Sequence, residues 1–238
     1  MHYLVHTDAI PISVGCKLST YKMFNLHAHT FLSDGNLLPS EVAVRYQDKG
    51  YKVIAITDHA DYSNIKQIAK AIVEFCKRWP KNSGIKVLPG VELTHLPPEQ
   101  FKPLAVLARK EGIKIIIAHG ETPVEPVAKN TNHLALIADI DILAHPGFIS
   151  DEDTQLAASR GVFLEVTSRH GHKEANKHVI NQARKFKAKL ILNNDSHTPE
   201  DIIAPEQLIK AGLDYGLTQL EIDKIYEDVK VFLDKKTI

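Results

Sequence analysis

Seven short apolar runs, at residues 24–26, 53–56, 87–88, 113–118, 140–144, 162–166 and 190–192, punctuate the chain. They are rich in Ile, Val and Leu and scarcely alternate with polar residues. A strand with one wet face alternates, so such runs suit parallel strands covered on both faces. Amphipathic stretches with helical punctuation separate them. Residues 40–46 follow Pro39 and lead to Gly50; 62–79 stop before Pro80; 98–111 end at Gly112. A weaker stretch, 122–133, carries Pro123 and Pro126 near its start, and 151–159 run from acidic residues to Gly161. Residues 173–187, 199–211 ending at Gly212, and a closing helix over 218–233 complete the pattern. Strand and helix in alternation with right-handed crossovers give either a doubly wound sheet or a barrel.

The polar residues decide between the two. His27 and His29 end the first run, Asp58 and His59 the second, and Glu92 the third. His119 and Glu121 end the fourth and His145 the fifth. Glu165, Arg169, His170 and His172 belong to or follow the sixth, and Asp195 and His197 follow the seventh. An open sheet gathers functional groups at one switch point, whereas a barrel collects them from every strand at its C-terminal rim. The expectation is therefore an α/β barrel, and 238 residues suit one such unit, with enough core to need no disulfides. His27 and His29 are two apart, as are Asp195 and His197, so each pair leaves a strand on one face. Neutral imidazoles and carboxylates are donors for Zn, Mn or Fe. So many on one rim exceed the needs of one four-coordinate ion, which points to two or three divalent ions.

Other features bound the function. Lys plus Arg and Asp plus Glu both number 29, so no basic excess advertises nucleic acid. Cys16 and Cys76 form no CxxC pair, which fits free thiols in a reducing compartment. No segment has the length and apolarity of a membrane span or of a signal peptide, so a soluble cytoplasmic protein is expected. Residues 1–23, with His2 and His6, read as an amino-terminal extension, and 24–238 as the barrel with its closing helix. His95, His133 and His178 lie off the rim positions, and His178 is expected on a helix surface.

The segments His27-Ala28-His29-Thr30 with Ser33-Asp34-Gly35, Thr57-Asp58-His59, Gly90-Val91-Glu92, His119, Ala144-His145-Pro146 and Asp195-Ser196-His197 resemble, in order, the motifs of the PHP family. That family is named for bacterial polymerases and histidinol phosphatase. The similarity spans about residues 24–212 and is greatest to stand-alone histidinol-phosphatase-like members, which carry segments like Gly90–His95 and His119–Glu121. It implies a distorted seven-stranded (β/α) barrel with a trinuclear site. In the implied ligand set, His27, His29, Glu92 and Asp195 hold a first ion. Glu92 bridges to a second on His119 and His145, and Asp34, His59 and His197 hold a third. Some members have histidine where Asp34 stands. Glu92, Asp195 and His197 are the groups expected nearest the reaction.

The implied activity is hydrolysis of a small phosphomonoester by a metal-activated hydroxide. Arg169 and His170, just after the sixth run, are expected to meet substrate, Arg169 through bidentate contact with phosphate. Asp58 and Glu121 are expected to steady ligand imidazoles from behind. Three other readings compete. A phosphodiesterase or exonuclease would need a basic track; Lys173, Lys177, Arg184, Lys185, Lys187 and Lys189 lie close together but at the spacing of a solvated helix face. A non-catalytic ribonucleoprotein subunit would have lost metal ligands, and none is missing here. An amidohydrolase would place a bridging lysine after the fourth run, where Ala118-His119 stands. The sequence does not specify an oligomeric state.

Overall fold

The computed structural model describes residues 23–236. The amino-terminal extension, with His2, His6 and Cys16, lies outside the described residues. The elements run β1 (Phe24–Asn25), α1 (Pro39–Asp48), β2 (Val53–Ile56), β3 (His59–Ala60), α2 (Ile65–Arg78), β4 (Lys86–Leu93), α3 (Phe101–Lys110), β5 (Ile115–His119), α4 (Thr131–Leu136), β6 (Ile142–Ala144), α5 (Asp151–Arg160), β7 (Phe163–Thr167), α6 (Asn176–Phe186), β8 (Lys189–Asn193), α7 (Pro205–Asp214) and α8 (Gln219–Lys236). All strand pairs are parallel, in the order β1-β2-β4-β5-β6-β7-β8, with β3 also on β4. Strands β2, β5, β6 and β7 are buried at every position, which is why their sequences fail to alternate.

Seven apolar runs become eight strands because the second is interrupted. Val53 pairs with Lys86, and His59 pairs with Glu92 in unchanged register. Thus β3 continues β2 past Thr57 and Asp58, which sit beside Gly90. A Cβ on Gly90 would lie 2.5 Å from Thr57 Cγ2, so only glycine lets the two strands approach there.

The barrel closes between β1 and β8 with little backbone pairing. Ala28 and Ser196 form one parallel bridge, and His29 N donates to Ser196 O (2.8 Å). Further down the seam, buried asparagine side chains replace the ladder. Leu26 N donates to Asn193 Oδ1 (2.8 Å) and Asn194 N to Asn25 Oδ1 (2.7 Å). At the opposite end of the strands, α8 covers the barrel floor, with Tyr226 against Phe24 and Phe232 against Phe163.

Several helix boundaries differ from the sequence reading. The stretch 122–133 is a loop until Thr131, because Pro123 and Pro126 deny it backbone donors. Residues 199–201 form a separate 3-10 turn, and α7 restarts at Pro205, again a first-turn proline. Gly212 lies inside α7 rather than at its end, where a Cβ would come within 3.3–3.4 Å of the Leu192 and Leu217 methyls. Among the described residues no helix is long and apolar enough to cross a membrane.

The seam gives a stability test. Asn193 also donates to Glu165 Oε1 (2.8 Å), so Asn193→Ala strands a buried amide and removes a donor from a buried carboxylate. Chemical denaturation is expected to show a loss of about 2–4 kcal/mol. A loss within experimental error of zero would mean that the seam does not depend on this side chain.

Candidate metal centre

Each candidate donor lies at or just beyond the C-terminal end of a strand. His27 and His29 follow β1, His59 opens β3, Glu92 lies in β4, His119 ends β5, His145 follows β6, and Asp195 and His197 follow β8. Asp34 comes from the turn after β1. The Asp58 carboxylate shapes that turn by accepting from Thr30 N (2.7 Å), Thr30 Oγ1 (2.8 Å) and Ser33 Oγ (2.8 Å). Its hydrogen bonds go to this loop rather than to an imidazole, and burial raises its pKa. His145 and Asp195 hold positive φ angles of 28° and 51°. Non-glycine residues seldom adopt this region, and such strain concentrates at functional sites.

The spacing of the central donors is specific. His27 Nε2 lies 3.3 Å from Glu92 Oε2 and 3.5 Å from Asp195 Oδ1. His29 Nε2 lies 3.5 and 3.3 Å from the same two oxygens. Ligand atoms around one tetrahedral ion with bonds of 2.0–2.2 Å stand about 3.3–3.6 Å apart. The four N···O distances are of that size and are too long for strong hydrogen bonds, and the donors fall into two overlapping groups, His27 with His29 and Glu92, and His27 with His145 and Asp195. On the outer side of Glu92, His145 Nε2 lies 3.6 Å from Oε1, and His119 completes a group with these two. Asp34 Oδ2 lies 3.5 Å from His59 Nε2 and 3.3 Å from His197 Nε2, with His29 alongside.

The buried atoms lack other partners. His27 Nε2, both ring nitrogens of His29, His145 Nδ1 and both Glu92 oxygens make no well-aligned hydrogen bond among the described residues, although His59 Nδ1 lies 2.9 Å from Glu92 Oε2 as an ion pair. Buried polar atoms left unpaired are costly, and several converging on one point call for a cation. The donor set therefore fits divalent ions. The rings are also oriented for the purpose. His27 Nδ1 donates to Glu165 Oε1 (2.8 Å) and His119 Nδ1 to Gly120 O (3.1 Å), which turns each Nε2 inward. His59 Nδ1 bonds to Thr94 Oγ1 (2.5 Å), and its Nε2 faces Asp34.

Electrostatics follow from this crowding. Burial alone would lower the His27 pKa, but Glu165, Asp195 and Glu92 together lift it well above its usual value. His59 is likewise opposed by burial yet raised to about 10, chiefly by Glu92 and Asp34. Burial and the neighbouring His59 push His29 down to about 3. Glu92 and Asp195 stay well below the usual carboxylate range despite burial, because His27 lies beside both.

Asp34, His59, Glu92, His119, His145, Asp195 and His197 line a cavity of about 480 Å³. Arg169 lines it and donates through Nη1 to Asp195 O (3.1 Å) and to His197 Nδ1. His170 is exposed and does not line the cavity; His172, two residues on, is the buried histidine that does. Glu121 pairs reciprocally with Asn132, Glu121 N donating to Oδ1 (2.9 Å) and Asn132 N to Glu121 Oε1 (3.1 Å). It therefore braces the loop before α4 rather than a ligand imidazole. Sequence reasoning missed Glu125 and placed His95 outside the site, yet both line the cavity. It left Glu165 without a role, although this wholly buried glutamate holds His27. A glutamate inside an otherwise apolar run was the available signal for Glu165; nothing in the loop sequence marked Glu125.

The PHP domain profile matches residues 25–143. An uncharacterized protein of Methanocaldococcus jannaschii is 45% identical over 205 residues, covering 84% of this chain and 93% of its own. The chain belongs to the PHP family. A DNA polymerase/3'-5' exonuclease PolX of Bacillus subtilis is 26% identical over 198 residues, and the match spans 74% of this PHP chain but 34% of that polymerase. Among solved structures, histidinol phosphate phosphatase from Lactococcus lactis, complexed with zinc, L-histidinol and phosphate, superposes with a TM-score of 0.58. It is 16% identical and covers 83% of this chain and 95% of its own, a likeness of fold.

Protons held by His27 and His59 must leave when an ion arrives. Both groups have raised pKa values, so a divalent cation is expected to bind more tightly as pH rises from 6 towards the His59 value of about 10. Calorimetric titration with zinc in two buffers of different ionisation enthalpy should show at least one proton released per chain. Heats that do not depend on the buffer would contradict this.

Proposed function

We propose that this protein is a metal-dependent phosphoesterase that hydrolyses a small phosphomonoester, as its histidinol-phosphatase-like resemblance suggests. The supporting observation is the cluster of unpaired buried donors around Glu92, with N···O separations of 3.3–3.5 Å, beside a cavity that also presents Arg169. In this reading His27, His29, Glu92 and Asp195 hold a first ion; Glu92, His119 and His145 a second; and Asp34, His59 and His197 a third. Divalent ions in such positions polarise phosphoryl oxygens and activate water at neutral pH.

The chain's own residues do the rest. Glu92 has two oxygens facing different histidines, so it joins the first two positions. Glu165 holds the His27 ring in the tautomer that leaves Nε2 free to bind. Arg169 lies a quarter exposed at the cavity wall, where its guanidinium would meet phosphate oxygens left free by bound ions. His197 and Asp195 are steadied by that same guanidinium.

A diesterase acting on nucleic acid is the second reading, and the PolX similarity favours it. The basic residues near α6 lend it little support: Lys185 pairs with Asp151 (2.5 Å) and Arg184 with Glu221 (2.6 Å), so part of that face is already neutralised. A screen of phosphomonoesters against single-stranded DNA and simple diesters separates the two. Faster turnover of a diester than of any monoester would overturn the first reading.

Two variants test the assignments. Glu92→Gln is expected to lose two ions together, because the amide cannot bridge; full occupancy by elemental analysis would refute the bridge. Arg169→Ala is expected to raise KM by roughly ten- to a hundredfold, the worth of one charge-assisted contact of about 1.5–3 kcal/mol. Steady-state kinetics with metal analysis would check it, and unchanged kinetics would remove Arg169 from substrate binding.

A further inference from the structure

One carboxylate at the cavity mouth has no place in the ligand set above. Glu125 comes from the loop between β5 and α4, and three imidazoles converge on it. His119 Nε2 lies 2.9 Å and His95 Nε2 3.2 Å from Oε2, and His172 Nε2 lies 3.4 Å from Oε1. Behind each ring an oxygen takes the other nitrogen. His95 Nδ1 donates to Pro126 O (3.2 Å), and His119 Nδ1 donates to Gly120 O (3.1 Å). His172 Nδ1 bonds to Thr122 Oγ1 (2.9 Å).

A carbonyl only accepts, so the Nδ1 nitrogens of His95 and His119 carry protons. In the neutral rings, both Nε2 lone pairs then face a carboxylate oxygen. Acceptors that face one another at this distance need a proton or a cation between them. Backbone acceptors behind two donor rings and a carboxylate in front are the arrangement of a transition-ion site. His95, His119 and Glu125 also lie close enough together to share one ion. His95 is held there at a cost: its φ is 51°, a region that non-glycine residues seldom occupy. One proposed inner histidine borders this group: the His145 ring lies 4.4 Å from His119 and 4.3 Å from His172.

We propose that His95, His119 and Glu125 form an outer position for a divalent transition ion, through which ions reach and leave the inner position on Glu92, His119 and His145. The inference rests on the reading of the inner donors as metal ligands. His119 is the shared donor. Its single inward Nε2 serves one ion at a time, so the outer and inner positions alternate. Exposure runs the right way for a relay. The His95 and Glu125 side chains are 42% and 36% exposed, His119 is 3% exposed, and Glu92 is wholly buried. An arriving ion therefore meets the outer pair first, exchanges part of its water for them, and is handed inward by His119. The outer donors offer one carboxylate, whereas the inner ones offer Glu92 with Asp195 close by, so the inner position is the resting one.

The test is metal uptake by the chelator-treated, full-length protein. Co(II) is mixed in by stopped flow and followed by its visible absorption, and the final ion count is taken by elemental analysis. His95→Ala and Glu125→Gln are expected to slow uptake of one ion by about tenfold or more while leaving the final count unchanged. Release into excess chelator should slow in parallel. His133→Ala serves as the control, because this half-exposed histidine bonds to Asp153 away from the cavity. Circular dichroism and thermal melting confirm that each variant is folded. Wild-type uptake rates in both folded variants would overturn the relay. So would a final count lowered by one with the remaining ions loading at the wild-type rate, since that makes the outer donors permanent ligands. If the unaltered chain takes up no Co(II), the reading of the inner donors fails instead, and the two failures are distinct.

Discussion

The Glu165 carboxylate is the contact on which the rest of the centre depends. It is wholly buried in β7, yet it serves three other segments of the barrel. Oε1 accepts from His27 Nδ1 and from Asn193 Nδ2, both at 2.8 Å, and Oε2 accepts from His145 N (3.2 Å). One side chain therefore orients a donor from the first strand, braces the seam at the last, and steadies the strained backbone that presents His145. Burying a carboxylate is expensive unless it is fully hydrogen-bonded and faces positive charge. Here the raised pKa of His27 supplies that charge. A cation at the Nε2 of the same ring would play the same part, so stability of the barrel and occupation of its rim are coupled through one imidazole.

Crowding of like donors is the second constraint. Eight imidazole and carboxylate groups on adjacent strands would repel or remain unpaired if they met in a random arrangement. The chain avoids this by alternating signs around Glu92 and Asp195 and by accepting backbone strain at His145 and Asp195. Gly35 makes a similar concession near Asp34: a Cβ there would lie 2.6 Å from the His29 carbonyl, so the turn that carries Asp34 closes tightly against the strand end that carries His29.

The barrel class and the rim were legible because both follow from local pattern. An unalternated run means two covered faces, and a polar residue at its end means a rim position. His27, His29, Glu92, His119, His145, Asp195 and His197 could be located this way before any coordinates. What could not be read depended on loop conformation. Glu125 is distant from its partners in the chain, and His95 reaches them only through a left-handed turn. His170 and His172 are indistinguishable by spacing, and only the turn at Gly171, with φ of 91°, decides which one faces inward. Asp58 and Glu121 were marked as polar residues beside candidate ligands, but their hydrogen bonds serve loops. Adjacency in sequence says little about which atom a short side chain will reach. The interruption between β2 and β3 was invisible for a similar reason, since it arises where Thr57 and Gly90 pass each other rather than from a break in apolar character.

The asparagine seam has a consequence for how the barrel is counted. A closed parallel sheet must choose its shear, the stagger between first and last strand, and an ordinary backbone ladder would accept neighbouring staggers at modest cost. Asn25 and Asn193 remove that latitude. Each offers a directional amide to one backbone N–H across the seam, and Asn193 must also find Glu165. A slip of one residue would point these amides at the wrong face and leave three buried groups unpaired. The two asparagines thus act as a vernier that admits a single closure, the one in which the His27 and Asp195 side chains arrive on the same level of the rim.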